Sequence, residues 1–212
     1  MKLILSVEYN LNSGLSIKYN GVTNMINRLF LTLTMLALCV YGTAAAAQQG
    51  GGGFRIPNLM LQTDAFADGG VIPDKYSSRG GNLQPGFKFL NEEEGTVSYA
   101  IIFHDIDVTF GGGTDDILHW VVWNIPASAG GIPEGGLPEG AVVGANLMRQ
   151  NSYMGPGAPP GPKHHHYVFD LYALNANLDI PATSSRKELL EAMQGKVIAK
   201  TAYVGRFGGP SQ

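Results

Sequence analysis

The chain has a single cysteine in 212 residues, and that scarcity excludes an internal disulfide framework and any multi-cysteine zinc site. Charged residues are equally sparse, at 15%, with a formal net charge of −3 and no long run of lysine or arginine. A nucleic-acid binder that works by phosphate neutralisation is excluded on that ground, and so is a coiled coil. Long apolar runs are missing as well. The longest uncharged apolar stretch, residues 29–40 (LFLTLTMLALCV), is shorter than the roughly 20 residues a membrane-spanning helix requires. Two catalytic signatures are absent: a G-x-S-x-G nucleophile elbow, and the glycine-rich phosphate cradle with its Lys and Ser or Thr. What the chain has in quantity is punctuation, with 29 glycines and 12 prolines. That content argues against a helical bundle and for many short strands joined by turns.

The first 47 residues read as a leader. Arg28 precedes the apolar stretch, and Ala44 to Ala47 follow it as a small-residue exit, which is the pattern of a secretory signal peptide. Met25 would open such a peptide in the usual way, so Met25 is the expected start of translation. Leu38 stands directly before Cys39, where a lipoprotein signal would carry a small residue. Cleavage near Ala47 would leave an exported chain, periplasmic or secreted, with no cysteine and no transmembrane segment. Residues 48–53 (QQGGGG) read as a flexible linker, and residues 54–212 as one domain.

Within that domain the pattern is mainly β. Residues 97–104 (VSYAIIFH) alternate, 119–125 (HWVVWNI) form a continuous apolar run, and 165–174 and 197–204 read as further strands. Shorter candidates lie at 59–61 and 87–89. Ser185 to Glu188 has capping-box spacing ahead of Leu189, Leu190 and Met193, and Gly195 closes the segment, so one short C-terminal helix is expected. Residues 127–163 are irregular and rich in Gly and Pro. The sum is an antiparallel β-sandwich with long loops.

Alternation along a strand gives the polar residues a direction. Asp105 continues the row of Tyr99, Ile101 and Phe103. His119 shares parity with Val121, Trp123 and Ile125. His165 and Tyr167 share parity with Phe169 and Leu171. With all three rows facing the core, these four polar residues sit at its edge, where burial is costly unless they satisfy each other or a ligand. An imidazole beside a carboxylate, with a second imidazole and a phenol, suits an oxygen-rich anion such as a phosphate ester. The alternative is a purely structural hydrogen-bond network. The run His164-His165-His166 admits a metal reading through His164 and His166, with Asp170 as third ligand.

Several stretches, in order, resemble the phosphatidylethanolamine-binding protein family in its bacterial Raf-kinase-inhibitor-like branch. Residues 82–89 (NLQPGFKF) are similar to N-x-S-P-x-L-x-W, and 105–109 (DIDVT) stand where the family has D-P-D-A-P. Residues 119–126 (HWVVWNIP) are close to H-W-V-V-x-N-I-P. Tyr153-Met154-Gly155-Pro156, Pro159-Pro160-Gly161 and 165–169 (HHYVF) match Y-x-G-P, P-P-x-G and H-R/H-Y-x-F, and 171–174 (LYAL) complete the set. The resemblance implies a β-sandwich with a small anion pocket at one end, formed by Asp105, His119, Tyr153, Gly155, Pro160, His165 and Tyr167. It implies a binding or inhibitory module for phosphate-like anions or phospholipid head groups, with no catalytic residues, cofactor or metal and a protein partner in the envelope. The two prolines missing from 105–109 predict a looser Asp105 loop. Two other readings stand beside this one: a cupin-type metalloenzyme using the histidines, and a secreted protease or hydrolase inhibitor acting through its surface.

Overall fold

A computed structural model describes residues 5–10, 14–19, 56–109 and 111–209. The signal peptide expected at 25–47 and the linker at 48–53 lie outside the described residues. The chain divides into two units, Met1–Arg55 and Ile56–Gln212. In the first, β1 (Leu5–Asn10) pairs antiparallel with β2 (Gly14–Tyr19) as a hairpin.

The second unit is built on two sheets. Its six-stranded sheet contains β4 (Gly70–Val71), β6 (Ser98–Thr109), β7 (Asp116–Pro126), β9 (Val142–Val143), β10 (His164–Leu174) and β11 (Val197–Gly208), in the order β4-β11-β10-β6-β7-β9. The three-stranded sheet is β3 (Met60–Gln62), β5 (Phe87–Leu90) and β8 (Gly131–Ile132), in the order β3-β5-β8. Pairing is antiparallel except for β4, which runs parallel to β11.

Two apolar layers follow from the alternation of the central strands. Tyr99, Ile101 and Phe103 of β6 join Tyr167, Phe169 and Leu171 of β10 in a core against Phe87 and Phe89 of the small sheet. Aromatic rings carry this interface: Phe103 stacks on Phe169 at 3.9 Å, Phe87 meets Phe169 at 4.8 Å, and Phe89 meets Tyr99 at 4.7 Å. Each fully buried aromatic side chain contributes about 1.5–3 kcal/mol. On the opposite face Ala100, Ile102, Val121 and Trp123 pack against Leu189 and Met193 of the helix α1 (Arg186–Met193). The central strands are therefore apolar on both faces, which explains the unbroken apolar run in β7.

The helix begins as its sequence dictates. The Glu188 side chain accepts the Ser185 N–H at 3.0 Å and closes a capping box, and Gly195 beyond the end takes φ 73°.

β7 is bulged twice, and the bulges decide which residues reach the site. Phe103 pairs with Trp120 while His104 pairs with Leu118, so His119 is an extra residue opposite β6. A second irregularity sits at Asn124, which takes φ 55°. Asparagine tolerates that left-handed conformation, and its side chain uses it: Oδ1 accepts the Leu178 N–H and Nδ2 donates to the Leu178 carbonyl, pinning the segment before α1. Strict alternation along β7 fails at these points. Val121 and Trp123 face the helix layer, whereas Trp120, Val122 and Ile125 face the small sheet. The bulge, and not a shared row with Val121 and Trp123, turns His119 toward Phe103.

Candidate functional site

Four of the expected residues meet where β6, β7 and β10 come together at one end of the sheet. Asp105 is 3% exposed, His119 5% and Tyr167 1%. Tyr167 pairs in register with Asp105 across β10 and β6. Asp105 Oδ2 accepts from His165 Nδ1 at 2.8 Å, and its Oδ1 accepts the Asp107 N–H at 2.9 Å. The His119 ring lies edge-on to Tyr167, with centroids 5.2 Å apart, and His165 stacks near Tyr167 at 6.5 Å. Phe103 forms the floor, 5.2 Å from His119 and 5.5 Å from Tyr153.

The tautomers follow from the partners. His119 Nδ1 lies 2.8 Å from the Met154 carbonyl, which can only accept, so Nδ1 carries the proton. His165 Nδ1 faces a carboxylate and donates likewise. The Gly155 backbone adds a second hydrogen bond to the His119 ring. Burial pulls the His119 imidazole below its ordinary pKa, against the opposing pull of the Met154 carbonyl and Asp105. Burial, reinforced by Asp105, pushes the Tyr167 phenol far up, so its hydroxyl keeps its proton while it accepts the Ala158 N–H at 3.2 Å.

Tyr153 and Gly155 belong to the wall. Tyr153 stacks on Phe103 and donates its hydroxyl to the Tyr76 carbonyl at 3.2 Å, so it shapes the site and turns its polar end away. Gly155 is wedged against the loop at 76–78: a Cβ there would lie 2.3 Å from the Tyr76 carbonyl oxygen. Only glycine permits that approach. Pro160 is exposed and bridges to Gly209, so it stands at the rim and not among the polar groups.

Sequence reasoning missed the clamp behind this wall. Asn82 accepts the Gly155 N–H at 2.8 Å and donates to the Tyr153 carbonyl at 3.3 Å. Ser78 donates to the Pro156 carbonyl at 3.1 Å and Arg79 to the Ala158 carbonyl at 2.7 Å. Asn82 stood at the head of the N-x-S-P-like stretch, so a signal for it existed. Ser78 and Arg79 lie in a loop that looked like plain punctuation.

Nor is the Asp105 segment left slack by its missing prolines. β6 continues to Thr109. Asp107 accepts from the His166 backbone N–H at 2.6 Å, from His166 Nδ1 at 2.8 Å and from Lys163 at 2.9 Å. Hydrogen bonds to β10 do what ring closure would have done. Lys163 and His166 hold Asp107 well below the usual carboxylate range.

The metal reading of His164, His166 and Asp170 does not survive the geometry. His166 is engaged by Asp107, while Asp170 accepts from His104 Nε2 at 3.2 Å and lies 3.7 Å from Lys200. Among the described residues no group of three His, Cys, Asp or Glu side chains is placed to hold a metal ion.

His104 instead centres an ion cluster on the helix face of the sheet. Its Nδ1 lies 2.6 Å from Asp116, and Arg186 at the start of α1 also bonds Asp116. A cavity of about 320 Å³ opens beside this cluster. Another, of about 360 Å³, lies by Lys75, Tyr76 and Glu134, and both are away from Asp105 and His119. Burial pulls the His104 pKa down, but the two carboxylates overcome it and the net shift is upward.

The two histidines therefore give opposite pH dependences around the ordinary value of 6.5. His104, raised in the fold, contributes stability that is complete below pH 6.5 and is lost as pH rises through its folded value. His119, lowered in the fold, costs stability as pH falls from 6.5 through its folded value. Denaturant unfolding across pH 4.5–8.5 is expected to show a maximum near the middle. His104→Gln should flatten the alkaline limb and His119→Gln the acid limb. A stability profile unchanged by both substitutions contradicts the assignment.

Comparison with known proteins places this geometry in context. A family model described as phosphatidylethanolamine-binding protein matches residues 62–208. A UPF0098 protein of Methanothermobacter thermautotrophicus is 36% identical over 154 residues, covering 70% of this chain and 98% of that protein. A Mycobacterium tuberculosis protein named as a candidate lipoprotein, LppC, is 30% identical over 151 residues, covering 71% of this chain and 73% of its own length. Among solved structures, a candidate phosphatidylethanolamine-binding protein homologue from Chlamydia trachomatis superposes with a TM-score of 0.65 at 30% identity, over 71% of this chain and 97% of that one.

Proposed function

The chain belongs to the phosphatidylethanolamine-binding protein family, and from that premise we propose that it is an exported binding module whose site at Asp105, His119, His165 and Tyr167 takes phosphate-bearing ligands, free or as phospholipid head groups. Members of the family bind phosphate-type ligands and are in general binding proteins, not enzymes. The observation that carries the reading is the convergence of a buried carboxylate, two imidazoles and a protonated phenol within one aromatic-floored end of the sheet. Buried polar groups in a folded protein find partners, and a tetrahedral oxyanion fits this set. Tyr153, Gly155 and Pro160 act as wall and rim.

No nucleophile–base pair accompanies the set among the hydrogen bonds of the site, so the reading is binding and not turnover. Regulation or inhibition of an envelope protein is the further role this implies for an exported module. The test is a titration of the folded protein with inorganic phosphate and phosphoethanolamine, followed by NMR of the imidazole and phenol signals. Saturable shifts at His119 and Tyr167 are expected. Asp105→Ala, His119→Ala and Tyr167→Phe should each weaken binding by about tenfold, the effect of one lost hydrogen bond to a charged group. No shift at millimolar ligand overturns the reading.

Export rests on the arginine, apolar stretch and alanine exit at 28–47, and on the lipoprotein name carried by one relative. Mass spectrometry of the protein recovered from its native host should find a first residue at Gln48. A chain beginning at Met1 contradicts export by this signal.

A further inference from the structure

On the helix face of the sheet, both ring nitrogens of His104 face carboxylates. Nδ1 lies 2.6 Å from Asp116 Oδ2, and Nε2 lies 3.2 Å from Asp170 Oδ2. A neutral imidazole has one N–H and one lone pair, so it can donate to only one of the two. The pair of contacts requires an imidazolium. All three side chains are largely buried, and a lone pair turned toward a carboxylate there is costly.

The two carboxylates differ in how they are held. Asp170 stands within β10, between β6 and β11, and cannot retreat. Asp116 opens β7 at the base of the β6–β7 hairpin, where the ladder is interrupted. Asp105 pairs with Ile117 and Thr109 with Asp116, so residues 106–108 have no counterpart on β7. Beyond them Gly111 and Gly112 take φ 63° and 75° with open space around them. Among the described residues, His104 and Arg186 are the only side chains that bond residues 111–117. Arg186 is the first residue of α1, and a cation there opposes the helix dipole, so its place is explained by Asp116 and not by the helix.

We infer that His104 is a proton-operated latch: its imidazolium clamps the start of β7 between the sheet and α1, and loss of its proton loosens the hairpin tip and opens the cavity of about 320 Å³ beside it. The neutral ring keeps its one N–H on the immovable Asp170, and its lone pair then pushes Asp116 outward. His119 follows Asp116 by three positions on β7, so the latch acts on the strand that carries a histidine of the anion site, whether or not that site is filled.

The groups around His104 are Asp115 and Asp116 at the hairpin, Asp170 and Tyr172 on β10, Arg186 on α1 and, 3.7 Å from Asp170, Lys200 on β11. His119 lies farther along β7, and a charge on His104 disfavours one on its ring. Burial pulls the His104 pKa down and the two carboxylates pull it up by more. Release therefore comes above pH 6.5, as pH rises through the folded value.

Hydrogen exchange of the intact protein at pH 6 and pH 8.5 tests the latch, with intrinsic rates divided out and the amides of β10 as internal reference. The amides of Asp116, Ile117 and Leu118 should exchange at least about tenfold faster at pH 8.5, relative to that reference. His104→Gln carries no charge at either pH and should exchange fast at both. Asp170→Asn should do the reverse. Its amide can donate to Nε2 of a neutral ring, which leaves Nδ1–H on Asp116, so the start of β7 should stay protected at both pH values. Three results overturn the inference: equal protection at the two pH values in the unaltered protein, a change spread evenly over the domain, or release of Asp170→Asn at pH 8.5 to the same extent as the unaltered protein.

Discussion

Phe103→Ala is expected to cost about 3–5 kcal/mol of folding stability, the range for deleting a fully buried phenyl ring. Phe103 has no exposed surface. Its ring stacks on Phe169 at 3.9 Å and on Tyr153 at 5.5 Å, and it lies 5.2 Å from His119 and 6.0 Å from Tyr167. It is at once the centre of the inter-sheet core and the floor of the site. Removing it leaves a cavity that the flanking rings can fill only by tilting, so ligand affinity should fall along with stability. Phe103→Leu keeps most of the volume and should cost under about 1.5 kcal/mol. Guanidinium unfolding of the three proteins measures both values. A loss below about 1 kcal/mol for the alanine variant would mean that the ring is not the keystone this packing makes it.

Gly155→Ala should abolish most ligand affinity by a different route. A Cβ at that position would lie 2.3 Å from the Tyr76 carbonyl oxygen and 2.7 Å from the Ser77 carbonyl carbon, both backbone atoms that cannot swing aside. The loop at 153–158 must then lift away from the loop at 76–82. The Met154 carbonyl that fixes the His119 tautomer moves with it, and so does the Ala158 N–H that meets Tyr167. Overpacking of this kind costs about 1–3 kcal/mol of stability, and affinity for phosphate should drop at least about tenfold. Gly157→Ala is the control. Its Cβ would meet only the Ser78 hydroxyl, at 3.1 Å, and that side chain can rotate. Near-normal binding in the second variant with loss in the first is the expected pair of results. Equal behaviour in both would contradict the clamp.

The contrast between these two glycines illustrates what sequence could and could not convey. Both sit in the same Gly- and Pro-rich stretch and both read as loop. Which one is locked depends on a second loop about 75 residues upstream, a contact no local pattern encodes. The strands were legible because apolar alternation and apolar runs are local signals, and the capping box at Ser185 and Glu188 announced α1 as clearly.

The site was half legible in the same way. Asp105, His165 and Tyr167 could be placed by alternation along regular strands. His119 could not, because a bulge in β7 shifts its phase, and counting along the strand assigned it to a row that in fact faces the helix. The resemblance to a family motif grouped it with those three residues without counting along the strand. Asp170 shows the reverse failure. Its spacing from His164 and His166 suggested metal ligation, yet its carboxylate is taken by His104 from the neighbouring strand, a partner set by sheet order and not by sequence distance.

The central claim is that Asp105, His119, His165 and Tyr167 form one anion site. Its most direct test is a crystal structure of the domain grown or soaked with inorganic phosphate near neutral pH. The account predicts a tetrahedral anion within hydrogen-bonding distance of the Tyr167 hydroxyl and of His119 Nε2, close to Asp105 and walled by Gly155. An anion bound only elsewhere, with the Tyr167 hydroxyl and both Nε2 atoms left to water, would contradict it.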